Sequence, residues 1–377
     1  MPTILNPFAS DSPRIIALIS IIGALTAFGL VEVLSASSVS SGLTNGGNFL
    51  YDAAIQSGGA MMGIALALLI SRFPISFWHN WRNVFVSLGM VLQLLVLYSP
   101  LGVESGGNKN WLNVGFTTIQ PSEFLKLAII VWFASWFHDN EHMTEWSVRH
   151  RRAPLIWVLA PIFLVALGGD MGTTIILGAI LLGMLAFAGL PSRTLGGIVV
   201  FVSFLAVIFV AINPSRLTRF VSWAQGCSPQ QYESICWQTM HGLWALSSGG
   251  LFGLGPGSSR AKWSWLPHAD SDYIFAIVGE ELGLVGAVAL LVLILALAVV
   301  LIRLIREFPQ PLTRVLIGGV FVWLIGQALV NIAVVLNLLP VLGVPLPFIS
   351  SGGSSILANL LAVGVIVSCV RHEERYG

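Results

Sequence analysis

About ten stretches of this chain are apolar over nearly the length that crosses a bilayer, and that constrains everything else about its fold. They lie at roughly 14–36, 52–71, 80–100, 121–138, 154–169, 172–190, 195–212, 272–302, 314–338 and 352–370. One crossing takes about 20 residues. Inside a bilayer no water satisfies backbone N–H and C=O groups, so such stretches must be helices. The expected fold is an all-α integral membrane protein of about ten transmembrane helices. It forms one domain over residues 1–377, with one long loop at about 213–271. Hydrophobic residues make up 56% of the chain and charged residues 9%, where a soluble domain carries about 25% charged. A net charge of +1 offers no electrostatic case for nucleic acid. No short apolar leader with a small-residue cleavage site precedes the first stretch, so that span is expected to be retained.

Arginine placement orients the helices. With the N-terminus inside, the inner loops carry Arg72 and Arg82, then Arg149, Arg151 and Arg152, then Arg193, then Arg303, Arg306 and Arg314, and the tail adds Arg371 and Arg375. The short outer loops offer little beyond Lys109. This positive-inside bias predicts that both termini are cytoplasmic. Two outer segments are then large, 101–120 and 213–271. The longer one is rich in Trp, Gly and Ser and reads as ordered. It holds Cys227 and Cys236, which outside the cytoplasm are either a disulfide or two packed thiols. No His or second Cys pair accompanies them, which argues against a metal.

The candidate chemistry lies in polar residues at the outer rim, where burying a charge needs a reason. Asp270 and Asp272 stand where the long loop enters the eighth apolar stretch, and Glu280 and Glu281 follow about two turns on. A carboxylate partly desolvated at the rim has a raised pKa, suited to proton abstraction; the competing reading is a helix N-cap. Glu123 and Lys126 are three apart and share a helix face. They are either a structural ion pair or a pair facing substrate. Asp170, among Gly168, Gly169 and Gly172, is a cap or a site residue. Glu32, deep in the first span, is expected to pair with a cation or amide of a neighbouring helix. The run Gly249–Gly257 lacks the Gly-Lys-Ser/Thr of a nucleotide loop and reads as flexible backbone near substrate. Pro and Gly across 339–355 exclude a regular helix and predict a cavity wall.

Several ordered pieces resemble the SEDS family (shape, elongation, division and sporulation) of membrane glycosyltransferases. They are Asn110-Trp111-Leu112; Gln120-Pro121-Ser122-Glu123 with Lys126; Asp170 with Gly172-Thr173; and Trp237-Gln238 with Ser248-Gly249-Gly250-Leu251. Lys262, Leu266-Pro267, Ser271-Asp272-Tyr273-Ile274-Phe275 and Gly279-Glu280-Glu281-Leu282-Gly283 follow. Pro345-Leu346-Pro347-Phe348-Ile349-Ser350 with Gly352-Gly353-Ser354-Ser355 completes the series. Leu34-Ser35-Ala36-Ser37-Ser38 looks more like the division branch than the elongation branch. The chain departs from the family in having Asn110 where Arg is common and Asp270 where His is frequent, which leaves two acids competing for one role.

The resemblance implies a peptidoglycan glycosyltransferase that polymerises lipid II, a disaccharide-pentapeptide on undecaprenyl pyrophosphate, as donor and acceptor. Asp272 would be the catalytic base. Lys262, Lys126 and Arg216 would neutralise pyrophosphate, and Glu123, Trp111, Asp170, Gln238 and Ser350 would also meet substrate. A divalent cation, Mg or Mn, would bind through Glu123. The implied partners are a class B penicillin-binding transpeptidase and other divisome proteins. The implied place is the bacterial plasma membrane at the division septum, with an extracytoplasmic site. A flippase for the same lipid-linked precursor is the alternative, and it would line a path through both leaflets. Here the polar groups gather on the outer side, with Glu32 the main exception.

Overall fold

The computed structural model describes residues 12–105, 107–115, 117–140, 155–212, 214–227 and 231–376. All ten apolar stretches fall on helix. In chain order the helices begin with α1 (Pro13–Ala36), α2 (Ser38–Thr44), α3 (Tyr51–Ile70), α4 (Ile75–Tyr98) and α5 (Pro121–Asp139). A π turn at Leu155–Leu159 leads into α6 (Ala160–Leu167), then α7 (Met171–Phe187) and α8 (Ser192–Ile212). The long loop adds α9 (Pro214–Gln225) and α10 (Trp237–Ser248). Next come α11 (Ile274–Glu307) and α12 (Pro311–Phe321), which passes through a π turn at Val322–Gly326 into α13 (Gln327–Val335), and finally α14 (Gly353–Tyr376). Six spans among the described residues are long and apolar enough to cross a membrane: α1, α3, α4, α11, α12 continued by α13, and α14. Ile156–Leu167, Met171–Phe187 and Ser192–Phe204 are shorter apolar helical stretches.

Helix α5 is the axle. Its face is buried from Leu125 through Trp136, and it packs on α4, α12, α7 and α14. Pro121 opens its first turn, where the missing N–H costs nothing, and Glu123 complements the dipole there. The bundle has two unlike ends. At one, Arg14 pairs with Glu307 and lies 3.8 Å from Glu374, and Arg82 meets Asp139 at 2.6 Å. The first and last described turns therefore lie together. Arg149, Arg151 and Arg152 fall outside the described residues. At the other end the loops knit into one another. Lys109 N donates to Gly168 O at 2.9 Å, Ser351 N to Asp270 O at 2.8 Å, and Ser350 Oγ to Ser271 O at 2.6 Å.

Two features of the loop end differ from the sequence expectation. Residues 101–120 hold a small antiparallel sheet, β1 (Gly102–Ser105), β2 (Asn108–Asn113) and β3 (Thr118–Ile119), with Val103 opposite Trp111 and Leu112 opposite Ile119. The Gly106-Gly107 pair was the available hairpin signal.

The run Gly249–Gly257 is no free-standing flexible segment, because it repairs a break in α11. That helix is interrupted at Gly283, at φ 66° and ψ −164°. Leu254 N and Gly255 N donate to Glu280 O and Glu281 O at 2.9 and 3.0 Å. In return Leu284 N and Val285 N donate to Gly250 O and Leu251 O at 2.9 and 3.1 Å. The exchange satisfies backbone groups that a break at membrane depth would orphan. It also needs glycine: a Cβ on Gly249 would sit 1.9 Å from Gly279 O.

Candidate active site

Asp272 lies just before α11, half-buried, and does not cap it: Tyr273 holds the N-cap position and no side chain caps there. Its own carbonyl accepts from Asn331 Nδ2 at 2.8 Å, and the same amide group donates to Val344 O at 2.7 Å. The irregular 336–352 segment thus forms a wall beside the acid. A Cβ on Gly343 would approach Asp272 Oδ2 to 3.6 Å. Burial pushes the Asp272 carboxyl up to about 6; His268 opposes the shift, and the charges of Asp270 and Asp170 add to it. Asp270 is also raised, first by burial, with Asp52 contributing. The charges of Asp170 and Asp270 thus both act on Asp272 at the loop end.

Behind them runs a hydrogen-bonded chain. Asp170 caps α7 by accepting from Thr173 N at 2.9 Å, and it also accepts from Gln120 Nε2 at 3.0 Å. The cap expected from the sequence is formed. Gln120 precedes α5, on which Lys126 Nζ meets Glu123 Oε1 at 2.6 Å and Gln327 Oε1 at 3.0 Å. The Lys126 ammonium also lies 4.9 Å from the Trp323 ring centroid, beside the π turn. Ser355 Oγ donates to Glu123 Oε2 at 3.3 Å. Each Glu123 oxygen thus accepts one hydrogen bond in this network. Among the described residues no three His, Cys, Asp or Glu side chains cluster as a metal site.

Lys262 sits in a second polar network. Its Nζ is held by Gly257 O at 2.7 Å, Glu281 Oε1 at 3.1 Å and Ser35 Oγ at 3.2 Å, and the residue is buried. Glu281 accepts further from Gly257 N at 2.7 Å and Ser259 N at 3.1 Å. Glu280 accepts from Ser259 Oγ at 2.6 Å and Arg260 N at 3.0 Å. Lys262 with Glu280 and Glu281 therefore pins the 255–262 segment to α11 and α1. Glu32 is buried near this pair; its Oε2 has no hydrogen-bond partner, and the charges of Glu281 and Lys262 both act on it.

The remaining expected residues have these places. Ser350 Oγ spends its proton on Ser271 O and accepts from Leu346 N at 2.7 Å, which makes it a tie between loops. Gln238, on α10, donates to Pro267 O at 3.2 Å. Trp111 sits half-buried on β2. The side chain of Arg216 lies outside the described residues. Cys227 and Cys236 are joined as a disulfide. Sequence reasoning missed Gln327, Asn331 and His268. Buried amides within apolar spans were the signal for Gln327 and Asn331.

Comparison with known proteins gives the chain its relatives. The profile of the FtsW, RodA and SpoVE cell cycle proteins matches residues 16–375. A probable peptidoglycan glycosyltransferase FtsW of Mycobacterium tuberculosis is 35% identical over 363 residues, covering 94% of this chain and 67% of the relative. Stage V sporulation protein E of Bacillus subtilis is 32% identical, covering 96% and 98%. Among solved structures, the rod shape determining protein RodA of Thermus thermophilus shares the fold at a TM-score of 0.68 and 24% identity, covering 96% of this chain and 97% of that one. A chain from a peptidoglycan synthase complex that coordinates polymerization and crosslinking shares it at 0.76 and 23%, covering 95% and 97%.

Proposed function

The chain belongs to the FtsW, RodA and SpoVE family of cell cycle proteins, and from that membership we propose that it is a peptidoglycan glycosyltransferase of cell division, polymerising lipid II as both donor and acceptor. The observation that carries the reading is Asp272: a half-buried acid outside the first turn of a membrane helix, with its carboxyl raised to about 6. Such a group is ionised at neutral pH and still basic enough to take a proton from an acceptor sugar hydroxyl. The oxygen then attacks the donor's anomeric carbon, and the lipid pyrophosphate leaves with the bonding pair. The loop end faces outward in this reading, where the sugars of a lipid-anchored substrate project.

Neutralising the leaving pyrophosphate falls to cations near the acids. Among the described residues, His268 lies close enough for a positive charge on it to act on both Asp270 and Asp272. Lys126 would contribute only by loosening from Glu123, and Lys262 serves by holding its segment in place. A divalent cation would enter as the counter-ion of the substrate's pyrophosphate; no step here runs through it. A class B penicillin-binding transpeptidase is the proposed partner, within the divisome at the septum.

Purified protein in detergent with lipid II, with and without the cognate transpeptidase, tests the proposal. Detergent removes sidedness, so transport cannot contribute. Glycan strands that vanish with Asp272→Ala are the expected result. No polymer under any partner or cation condition, together with movement of lipid II across vesicles, would replace the polymerase by a flippase.

A further inference from the structure

The arginine end of the bundle carries a groove that no part of the proposed reaction uses. It has a volume of about 320 Å³ and lies between α1, α3 and α14. Its walls include Ile19, Ile22, Ile64, Leu68 and Val367, and Arg371 stands at its mouth. We propose that this groove binds an anionic glycerophospholipid of the inner leaflet, with one acyl chain along the walls and the phosphate on Arg371.

The groove exists because α1 stands off where α3 and α14 touch. Those two helices meet through small residues: a Cβ on Gly63 would lie 2.7 Å from Leu360 Cδ1, and one on Gly364 would lie 2.8 Å from the Ala67 Cα. Small residues allow helices to approach this closely in lipid. Gly23 of α1 also lines the groove, yet a Cβ there would meet nothing within 4 Å. Left empty, such a gap forfeits dispersion contacts along its length, and a hydrocarbon chain restores them. From Leu360 to Arg371 helix α14 rises about 16 Å. That is the depth of one leaflet in a hydrocarbon core about 30 Å thick. The groove therefore suits one acyl chain whose headgroup lies at the arginine end.

Charge at the mouth selects the headgroup. Arg371 is half-buried, and its Nη1 donates to Ser71 Oγ at 2.8 Å and to Ser71 O at 3.4 Å. Ser71 Oγ donates in turn to Leu68 O at 2.9 Å. The guanidinium is thus held at the rim of the groove before any lipid arrives, which lowers the ordering cost of binding. Its planar fork of donors suits a phosphate. Arg72 and Arg375 add exposed positive charge close by in sequence. The acids of the same turn are placed elsewhere: Glu374 lies 3.8 Å from Arg14, and Glu373 is buried. Basic pockets between membrane helices at the cytoplasmic face recognise anionic headgroups, and the arginine distribution puts this end inside. A zwitterionic headgroup brings its own cation to the same place and gains less. The lipid-linked substrate is not the occupant, because its pyrophosphate belongs at the opposite end, beside Asp272.

Lipid binding here is independent of polymerisation, so the test reads binding alone. The full chain in detergent is titrated with phosphatidylglycerol or with phosphatidylcholine of the same acyl chains. Native mass spectrometry counts the bound lipid, and thermal unfolding reports its effect. Phosphatidylglycerol is expected to bind about tenfold tighter than phosphatidylcholine, the size of one charge-assisted contact, and to raise the unfolding temperature more. Arg371→Gln should abolish the preference between headgroups. Arg72→Gln, outside the groove, should keep it. Gly23→Leu fills the gap without meeting a neighbour at its Cβ, so it should fold as wild type does and bind neither lipid at this site. It retains Arg371 and so decides the matter even where Arg371→Gln does not fold. Equal binding of the two lipids to wild type overturns the site. So does a preference that Arg72→Gln weakens as much as Arg371→Gln, which is diffuse surface charge, and so does wild-type lipid binding in Gly23→Leu.

Discussion

The two ends of the bundle carry similar charges and use them differently. At the arginine end, Arg14, Arg82, Asp139 and Glu307 form ion pairs with side chains roughly a fifth to a half exposed. At the loop end, Glu123, Lys126, Lys262, Glu280 and Glu281 are buried, and their partners are one another, backbone groups, serine hydroxyls and the Gln327 amide. An exposed pair is screened, and losing it frees two solvated groups. A buried pair is different: removing one partner strands the other in a medium that cannot solvate it. The loop end therefore stakes its geometry on charge, and the arginine end uses charge mainly to set orientation.

The comparison is broken most severely at Asp272. Asp272→Asn keeps size and hydrogen-bonding capacity but removes the base, so polymerisation should fall by about 10²–10⁴ while the fold persists. Near-normal turnover in Asp272→Asn together with a dead Asp270→Asn would move the role to Asp270. The pH profile sharpens the assignment. With its carboxyl raised from 3.8 to about 6, Asp272 becomes ionised, and active, only as pH rises through about 6. Between those two values the folded state binds more protons than the unfolded one, so the contribution of this acid to stability declines as pH rises over the same window. Activity and stability should thus move in opposite directions near pH 6. A rate flat from pH 5 to 7 would contradict that.

Next in size is the Glu281 clamp. Glu281→Ala leaves Lys262 buried without its counter-charge and strips acceptors from Gly257 N and Ser259 N. A loss of about 3–5 kcal/mol in detergent unfolding is expected. Pairing Glu281→Gln with Lys262→Met should cost less than the two singles summed, because neither charge is then stranded. Strict additivity would show that Lys262 and Glu281 do not act as a pair.

How much of this was legible in the chain divides along the same line. The apolar helices follow from length and hydropathy alone, and Asp272 stands out because a carboxylate at a rim is costly. The partner of Lys262 was not legible. It lies 19 residues on, two residues before the break at Gly283, and only the folded loop brings it close. Gln327 and Asn331 read as stray amides inside an apolar span until Lys126 and the 344–345 backbone meet them. The glycines of 249–257 signal close approach without saying to what. Periodicity reports which face is buried, whereas a polar network is decided by contacts between segments far apart in sequence.

The disulfide tests the loop end from its edge. Cys227 and Cys236 close a loop of nine residues beside a cavity of about 800 Å³. Cys227→Ser with Cys236→Ser should lower stability by about 2–3 kcal/mol, as short crosslinked loops do. Alkylation of both thiols in unreduced wild-type protein, seen by mass spectrometry, would remove the bridge and this prediction with it.

The smallest effect belongs at the arginine end. Arg82 Nη1 meets Asp139 at 2.6 Å, with side chains 21% and 35% exposed. His79 lies on the far side of the same carboxylate, at 3.5 Å. Arg82→Ala therefore removes one screened partner and leaves Asp139 within reach of both water and His79. A change within about 1 kcal/mol is expected, shrinking further at high salt. Lipid II polymerisation should be unaltered, since nothing connects Arg82 to the acids at the other end. A loss as large as that of Glu281→Ala would mean that the two ends are held by the same kind of interaction. The contrast between a buried, backbone-anchored charge network and a solvated one would then fail.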